Sequence, residues 1–190
     1  MLLFIVAGVI GWNQLGVDFD ASSPASNKIE AINPPRVLGA FQLIDQQLLG
    51  KWSFVFFGYT HCPDVCPTTL TEMSTLANQL GEHTDIQYVF ISVDPTRDSP
   101  DYLADFVSYF NKQFIGVTGE NQQLKQLARQ LDITYSLGDS DTKEYVVHHS
   151  SAILLIDPMG HYVTRYKAPH YVEVLAEHFQ STKPSRENKT

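Results

Sequence analysis

Residues 52–70 read WSFVFFGYTHCPDVCPTTL, and this stretch decides the fold. Its first seven residues are almost continuously apolar, which is typical of a strand buried on both faces of a sheet. An apolar stripe at helical spacing begins at Leu70 and ends before Gly81, so the stretch also opens a helix. Both cysteines of the chain lie in the loop between this strand and this helix.

Strand and helix patterns alternate outward from this stretch. We predict further strands at 41–44, 86–93, 114–117, 151–156 and 161–166, and helices at 100–110, 121–131 and 171–179. Such alternation indicates an α/β fold in which crossover helices cover a sheet. Residues 133–147 are polar and rich in turn formers, which favours an inserted hairpin or loop over a helix.

The N-terminal segment is apolar and carries no charge over residues 1–17 apart from the chain terminus. A helix of that length spans roughly 25 Å, the short limit for crossing a bilayer. Three interpretations compete: a membrane anchor that lacks its upstream part, the core of a cleaved signal peptide, and a buried core helix. We favour the anchor, since Trp12 would lie at the membrane interface.

The rest of the chain is divided by composition. Residues 18–35 are polar and contain prolines, so we predict a linker there. Residues 36–180 form the predicted α/β domain, and 181–190 a flexible tail. The chain has 190 residues, enough to bury a core without disulfides. Its formal net charge of −8 argues against a nucleic-acid binder, which needs a basic surface.

The cysteine loop carries the chemistry. Three residues separate Cys62 from Cys66, one more than in the Cys-X-X-Cys motif. Such a loop can close a disulfide if the Cα atoms come within about 7 Å, or the two thiolates can chelate one metal ion. Pro67 suits a first helical position and places Cys66 near the helix N-cap. The positive helix end is then expected to lower the pKa of the Cys66 thiol. A buried, inert cysteine pair is the third alternative.

A metal site would need a third ligand, and histidine is the usual partner of two thiolates. His61 is adjacent to Cys62, but neighbouring side chains of an extended segment point apart. His148 and His149 come directly before a predicted strand. They can face the cysteine loop, because functional loops of α/β sheets gather at one edge. The residues alone leave the choice between these two histidines open.

Three stretches resemble motifs of the SCO/SenC/PrrC family, the copper-binding assembly factors of cytochrome c oxidase. Residues 58–68 (GYTHCPDVCPT) resemble the family's copper loop nearly unchanged. Residues 92–98 (SVDPTRD) resemble its Asp-Pro-x-Arg-Asp motif, and His149-Ser150 with the strand that follows resembles its third motif. The order and spacing of all three fit, and the likeness runs from about Pro35 to Phe179.

The resemblance implies a thioredoxin-like fold with an inserted hairpin, preceded by an N-terminal membrane anchor. It assigns the copper ligands to Cys62, Cys66 and His149. The family commonly has Asp where this chain has His148, and that neighbour can alter copper affinity without binding the metal itself. The resemblance also places Asp94 near the copper loop, where its charge would tune the site or contact a partner. An ordinary alternative is that Asp94 caps a turn and that Arg97 and Asp98 form a surface pair.

Two thiolates and an imidazole suit Cu(I) and can also hold Cu(II), whereas zinc would be left with an open fourth position. The resemblance therefore implies a non-enzymatic copper chaperone that serves the dinuclear copper site in subunit II of cytochrome c oxidase. A thioredoxin-like partner would keep the thiols reduced, since a disulfide blocks metal binding. The alternatives are a thiol–disulfide oxidoreductase acting on the same subunit, and a copper or redox sensor.

The implied location follows from the anchor and from this partner. The chain would be tethered to a membrane with its folded domain outside the cytoplasm. That is the periplasmic side in a bacterium, or the intermembrane space in a mitochondrion.

Overall fold

A six-stranded mixed sheet forms the centre of the fold. The computed structural model describes residues 30–37, 48–138 and 145–183, with the backbone alone for 30–37. The strands are β1 (Glu30–Val37), β2 (Trp52–Gly58), β3 (Ile86–Ser92), β4 (Phe114–Val117), β5 (Tyr135–Leu137), β6 (Val147–His149), β7 (Ile153–Ile156) and β8 (His161–Tyr166). The helices are α1 (Val65–Leu80), α2 (Pro100–Phe110), α3 (Asn121–Gln130) and α4 (Val172–Thr182).

The strand order of the large sheet is β1-β8-β7-β2-β3-β4. Strands β2, β3 and β4 are parallel, whereas β7 is antiparallel to β2 and β8 is antiparallel to both of its neighbours. Every residue of β2 and β3 is buried, which explains their continuous apolar sequence. In this register Gly58 pairs with Ser92, so the loops after β2 and β3 start side by side.

Strands β5 and β6 form a separate two-stranded antiparallel sheet. Tyr135 pairs with His149, and Leu137 pairs with Val147. This small sheet confirms the inserted hairpin that the turn-rich segment predicts. Residues 139–144 of that segment lie outside the described residues.

Local signals place two helix ends correctly and one incorrectly. Ser99 caps α2 by accepting a hydrogen bond from the backbone N–H of Tyr102, and Gly81 ends α1 with a φ of 76°. Helix α1, however, begins at Val65 rather than at Pro67. Pro67 is tolerated as the third residue of this helix, because backbone N–H groups of a first helical turn have no intrahelical acceptor. Cys66 is consequently the second residue of the helix.

The N-terminal boundary of the folded domain differs from the predicted one. Strand β1 starts at Glu30, so the last six residues of the predicted linker belong to the sheet. It is an edge strand, where proline is tolerated, and its register shifts between Ala31 and Arg36 around the two prolines. The predicted strand at 41–44 and the predicted anchor at 1–17 lie outside the described residues. Within the described ranges, no helix combines the length and apolar character needed to cross a membrane.

Candidate metal centre

The cysteine loop begins where strand β2 reaches the edge of the sheet. Cys66 is fully buried, whereas Cys62 is half-buried. A Cβ atom added to Gly58 would lie 2.8 Å from the Cys66 sulfur and 2.7 Å from the Phe90 ring. The glycine at the end of β2 therefore makes room for the sulfur under the sheet edge.

Cys62, Cys66 and His149 form one cluster. Their candidate ligand atoms all lie within 4.8 Å of one another. The Cys66 sulfur lies 3.2 Å from His149 Nε2, and the Cys66 backbone N–H donates to the Cys62 sulfur at 3.4 Å. Both cysteines are free thiols. Two sulfurs and one imidazole nitrogen are thus brought together, although His149 lies 83 residues after Cys66 in the chain.

The imidazole of His149 is held by a hydrogen bond at Nδ1 and by packing against two aromatic rings. Nδ1 lies 3.0 Å from the carbonyl oxygen of Ser150, so this nitrogen carries the hydrogen and Nε2 presents a lone pair to the sulfurs. The rings of Phe56 and Tyr59 pack edge-on against the imidazole, each at 5.8 Å between centroids.

Strand alternation separates the two neighbouring histidines. Side chains of successive strand residues point to opposite faces, and in β6 His149 is half-buried whereas His148 is exposed. His148 pairs with Ser136 and is not in the cluster. The residues alone left this choice open, and the structure brings His149 to the cysteines.

Burial sets the charge state of the metal-free cluster. It raises the pKa of the Cys66 thiol well above its ordinary value, with smaller contributions from the neighbouring Cys62. The expectation that the helix end lowers this pKa is therefore wrong, because loss of solvent around a fully buried sulfur outweighs the helix dipole. Burial also lowers the pKa of His149, so its imidazole is neutral near neutral pH.

The turn after β3 contacts the cysteine loop through Thr60. Asp98 is fully buried and accepts hydrogen bonds from the backbone N–H and the hydroxyl of Thr60, at 2.9 and 2.6 Å, and from Ser92. Asp94, also buried, pairs with Arg97. The expected surface pair between Arg97 and Asp98 is not formed, since Arg97 turns to Asp94 and leaves Asp98 to the cysteine loop.

The remaining histidines have other partners. His61 is about half exposed and lies 3.7 Å from the Asp98 carboxylate. The others contact groups away from the cysteines, namely His83 with Asp85, His161 with Asp157, His170 with Glu72, and His178 with the Tyr166 hydroxyl. Sequence reasoning missed two residues of the copper-loop motif, namely Tyr59, which packs on His149, and Thr60, which donates to Asp98. It also missed Tyr145, which lies outside the motifs and donates its hydroxyl hydrogen to Asp94.

The domain is thioredoxin-like, with a cysteine pair directly after a buried central strand of the sheet. A histidine from the inserted hairpin faces this pair, and the three side chains form a candidate site for a soft metal ion. The sequence model of the SCO1/SenC family matches residues 31–183. The chain belongs to this family.

Relatives and solved structures agree with this membership. An SCO2-like protein of Rickettsia felis is 39% identical over 142 aligned residues, which cover 69% of each chain. The crystal structure of Arabidopsis thaliana ScoI with copper bound is 33% identical and superposes with a TM-score of 0.66, over 72% of this chain and 86% of that one. Yeast Sco1 with copper bound is 31% identical with a TM-score of 0.66, over 74% and 82%.

Proposed function

We propose that this chain binds one copper ion through Cys62, Cys66 and His149 and delivers it to the dinuclear copper site of cytochrome c oxidase. The observation that carries the proposal is the 3.2 Å approach of His149 Nε2 to the Cys66 sulfur, with the Cys62 sulfur in the same cluster. Copper is the cargo of this reaction. The copper-bound structures of similar proteins from Arabidopsis thaliana and yeast support the assignment.

The donor set fits Cu(I) chemically. Cu(I) is a soft ion that favours thiolate sulfur and accepts imidazole nitrogen. His149 is neutral near neutral pH and already turns its Nε2 lone pair to the sulfurs, so it needs neither deprotonation nor reorientation. Cys66 is a thiol in the metal-free protein, so copper binding displaces its proton to solvent.

The structural support and the burial of the three side chains suggest an order of ligand loss during delivery. His149 lies on a strand of only three residues, so it leaves first and opens a coordination position. A recipient thiolate or imidazole then enters and displaces Cys62, the more accessible sulfur. Cys66 is fully buried and leaves last.

The setting of this activity is part of the proposal. Residues 1–17 would anchor the chain in a membrane, and the domain would face the compartment outside the cytoplasm. Subunit II of cytochrome c oxidase would be the recipient. A thioredoxin-like reductant would return a Cys62–Cys66 disulfide to the dithiol, since the oxidised pair cannot bind copper.

The first test is an anaerobic Cu(I) titration of the reduced full-length chain against a chromophoric chelator. We expect one copper per chain. His149→Ala should weaken binding by at least about tenfold, because it removes a ligand and loss of even a group that supports a ligand costs about 10–100-fold in metal affinity. His148→Ala is the matched control, because it removes a neighbouring imidazole that lies outside the cluster. Copper bound no more tightly than by a simple dithiol, with both variants equal to the parent, would contradict the proposal.

Delivery is tested separately by mixing the copper-loaded chain with the reduced copper-free domain of oxidase subunit II. Copper should appear in the recipient, as reported by its absorption spectrum after reoxidation. Cys62→Ser should abolish the transfer. Retention of copper by the loaded chain at equal concentrations of recipient would argue against delivery even if binding is confirmed.

One observation favours thiol–disulfide exchange as a second candidate function. Cys62 is accessible, and its sulfur lies beside Cys66, whose N–H donates to it. Cys62 thiolate would attack a target disulfide, and Cys66 would then displace the target, leaving this chain oxidised and the target reduced. His149→Ala should spare this exchange while it weakens copper binding, and that difference separates the two functions.

A further inference from the structure

The two halves of the copper site are supported by the same short turn. This turn, Asp94–Asp98, connects β3 to α2 and holds two buried carboxylates four residues apart. One carboxylate contacts the cysteine loop, and the other contacts the segment that leads to His149. The elements that supply the ligands do not themselves explain why sulfurs and imidazole meet, since β6 belongs to a separate small sheet.

The cysteine side is held by Asp98. Its two carboxylate oxygens accept hydrogen bonds from the backbone N–H and the hydroxyl of Thr60, two residues before Cys62. Its side chain is completely buried, and Ser92 at the end of β3 donates a further hydrogen bond to it. This side of the turn therefore fixes the cysteine loop to the end of a central strand.

The histidine side is held by Asp94 and Arg97. Arg97 Nε donates to one oxygen of Asp94, and the Tyr145 hydroxyl donates to the other oxygen, both at 2.5 Å. Arg97 Nη1 donates to the backbone carbonyl of Tyr145 at 3.1 Å, and its guanidinium carbon lies 3.7 Å from the centre of the Tyr145 ring. The three residues thus form a closed triangle of contacts, in which Tyr145 is the member nearest in sequence to His149.

The same guanidinium is also connected to the imidazole indirectly, through Tyr59. It lies 5.5 Å from the centre of the Tyr59 ring, and that ring packs edge-on against His149. Two routes therefore connect Arg97 to His149, one along the backbone from Tyr145 into β6 and one through the buried ring of Tyr59.

We propose that Tyr145 is a positioning residue for His149, and that Tyr145, Asp94 and Arg97 act as a latch that holds the imidazole over the two thiols. The inference rests on the proposed copper site. Within the latch, Tyr145 bears on the histidine side of the site, whereas the hydrogen bonds between the turn and Thr60 of the cysteine loop come from Asp98. Opening of the latch releases the β6 segment, and with it the ligand that the proposed order of transfer loses first.

The test uses Tyr145→Phe in the reduced full-length chain, since this change removes only the hydroxyl that donates to Asp94. Tyr109→Phe is the matched control, because Tyr109 is 87% exposed and the same atom is removed away from the site. In the metal-free protein, the His149 ring resonances should lose the shifts caused by Tyr59 and Phe56 in Tyr145→Phe and keep them in Tyr109→Phe. This readout needs no copper, so it decides the inference even if the copper proposal fails.

Copper titrations then test whether the effect passes through the histidine. Tyr145→Phe should weaken Cu(I) binding by roughly tenfold, the lower end of the loss seen when supports of metal ligands are removed. In a His149→Ala background the same change should have no further effect. Equal weakening in both backgrounds would show a general structural role and overturn the inference, as would His149 resonances that match those of Tyr109→Phe.

Arg97→Lys gives an independent variant of the same latch. It keeps a positive charge beside the buried Asp94 carboxylate but removes the planar group that stacks on Tyr145 and donates to its carbonyl. It should move the His149 resonances in the same direction as Tyr145→Phe and leave the alkylation rate of Cys62 unchanged. An altered Cys62 rate with unmoved His149 resonances would place Arg97 on the cysteine side and refute the latch.

Discussion

Gly58→Ala tests whether the cysteine site is built by close packing at the end of β2. The added Cβ would lie 2.8 Å from the Cys66 sulfur and 2.7 Å from Phe90. Favourable contacts between such atoms are about 3.5–4.0 Å long, so the sulfur and the ring must each move by roughly 1 Å. Backbone strain contributes nothing to this prediction, because Gly58 is not among the glycines with positive φ.

The expected loss of stability follows from these two contacts. Overfilling a well-packed core costs about 1–3 kcal/mol, and loss of glycine flexibility in the unfolded chain returns about 0.4–1 kcal/mol. We therefore expect the free energy of unfolding to fall by about 1–2 kcal/mol. The Cys66 sulfur is one of the two groups displaced, so copper affinity should fall as well, since metal–ligand distances tolerate changes of only about 0.2 Å.

Urea unfolding of the reduced, metal-free chain and a Cu(I) competition titration measure the two effects. Gly119→Ala is the control, because the nearest atom to its added Cβ is Gln123 Oε1 at 3.5 Å. This variant should be neutral or slightly more stable, by about 0.4–1 kcal/mol. The packing argument fails if Gly58→Ala unfolds at the same urea concentration as Gly119→Ala and binds copper like the parent.

Three further predictions concern the same loop and its surroundings. Asp98→Ala should lower the free energy of unfolding, measured in urea, by at least about 1.5–3 kcal/mol, because it removes an acceptor of three hydrogen bonds. Asp98→Asn keeps an acceptor oxygen and should lose less stability. Equal losses of stability in the two variants would contradict this prediction. An NMR titration of the metal-free protein should give His149 a pKa below 6.5. Since His149 then takes up its proton more readily in the unfolded chain, the free energy of unfolding should decline as the pH falls below 6.5 and level off below the folded-state pKa. The decline should be smaller in His149→Gln. A His149 pKa above 6.5 would reverse the expected pH dependence. Alkylation of the native dithiol should label Cys62 before Cys66, since Cys66 is buried and its thiol pKa is raised. Unfolding in urea should remove this difference in labelling rate. Faster labelling of Cys66 in the native protein, measured by mass spectrometry, would refute the burial argument.

Sequence patterns predicted the central part of the fold because its signals are local. A strand buried on both faces needs a continuous apolar run, and β2 and β3 show one. Ser99 marks a helix start through its side-chain cap, and Gly81 marks a helix end through its positive φ. Strand β1 was missed because its pairing comes from β8, more than a hundred residues later, while its own sequence contains two prolines.

The candidate site was predictable only in part for the same reason. The cysteine pair is visible in one loop, whereas the choice of His149 over His148 depends on the register of β6 against β5, which the residues alone do not specify. The helix-end argument for Cys66 considered one local dipole and missed the complete burial of the sulfur beside Gly58 at the end of β2. Tyr145 lies in the inserted hairpin, outside all three motifs, so only the folded chain connects it to Asp94.

The unequal support of the three candidate ligands, Cys62, Cys66 and His149, fits the proposed delivery of copper. Cys66 lies within α1 and beneath the edge of the central sheet, so moving it would disturb the core. His149 is only half-buried and lies in a sheet of two three-residue strands, where its imidazole contacts Phe56, Tyr59 and the Ser150 carbonyl. Fewer interactions must break to withdraw the imidazole than to withdraw the buried sulfur, and local opening costs least where buried contacts are few. Under the proposed delivery, release that begins at His149 would therefore leave copper on two sulfurs until a recipient supplied its own ligand.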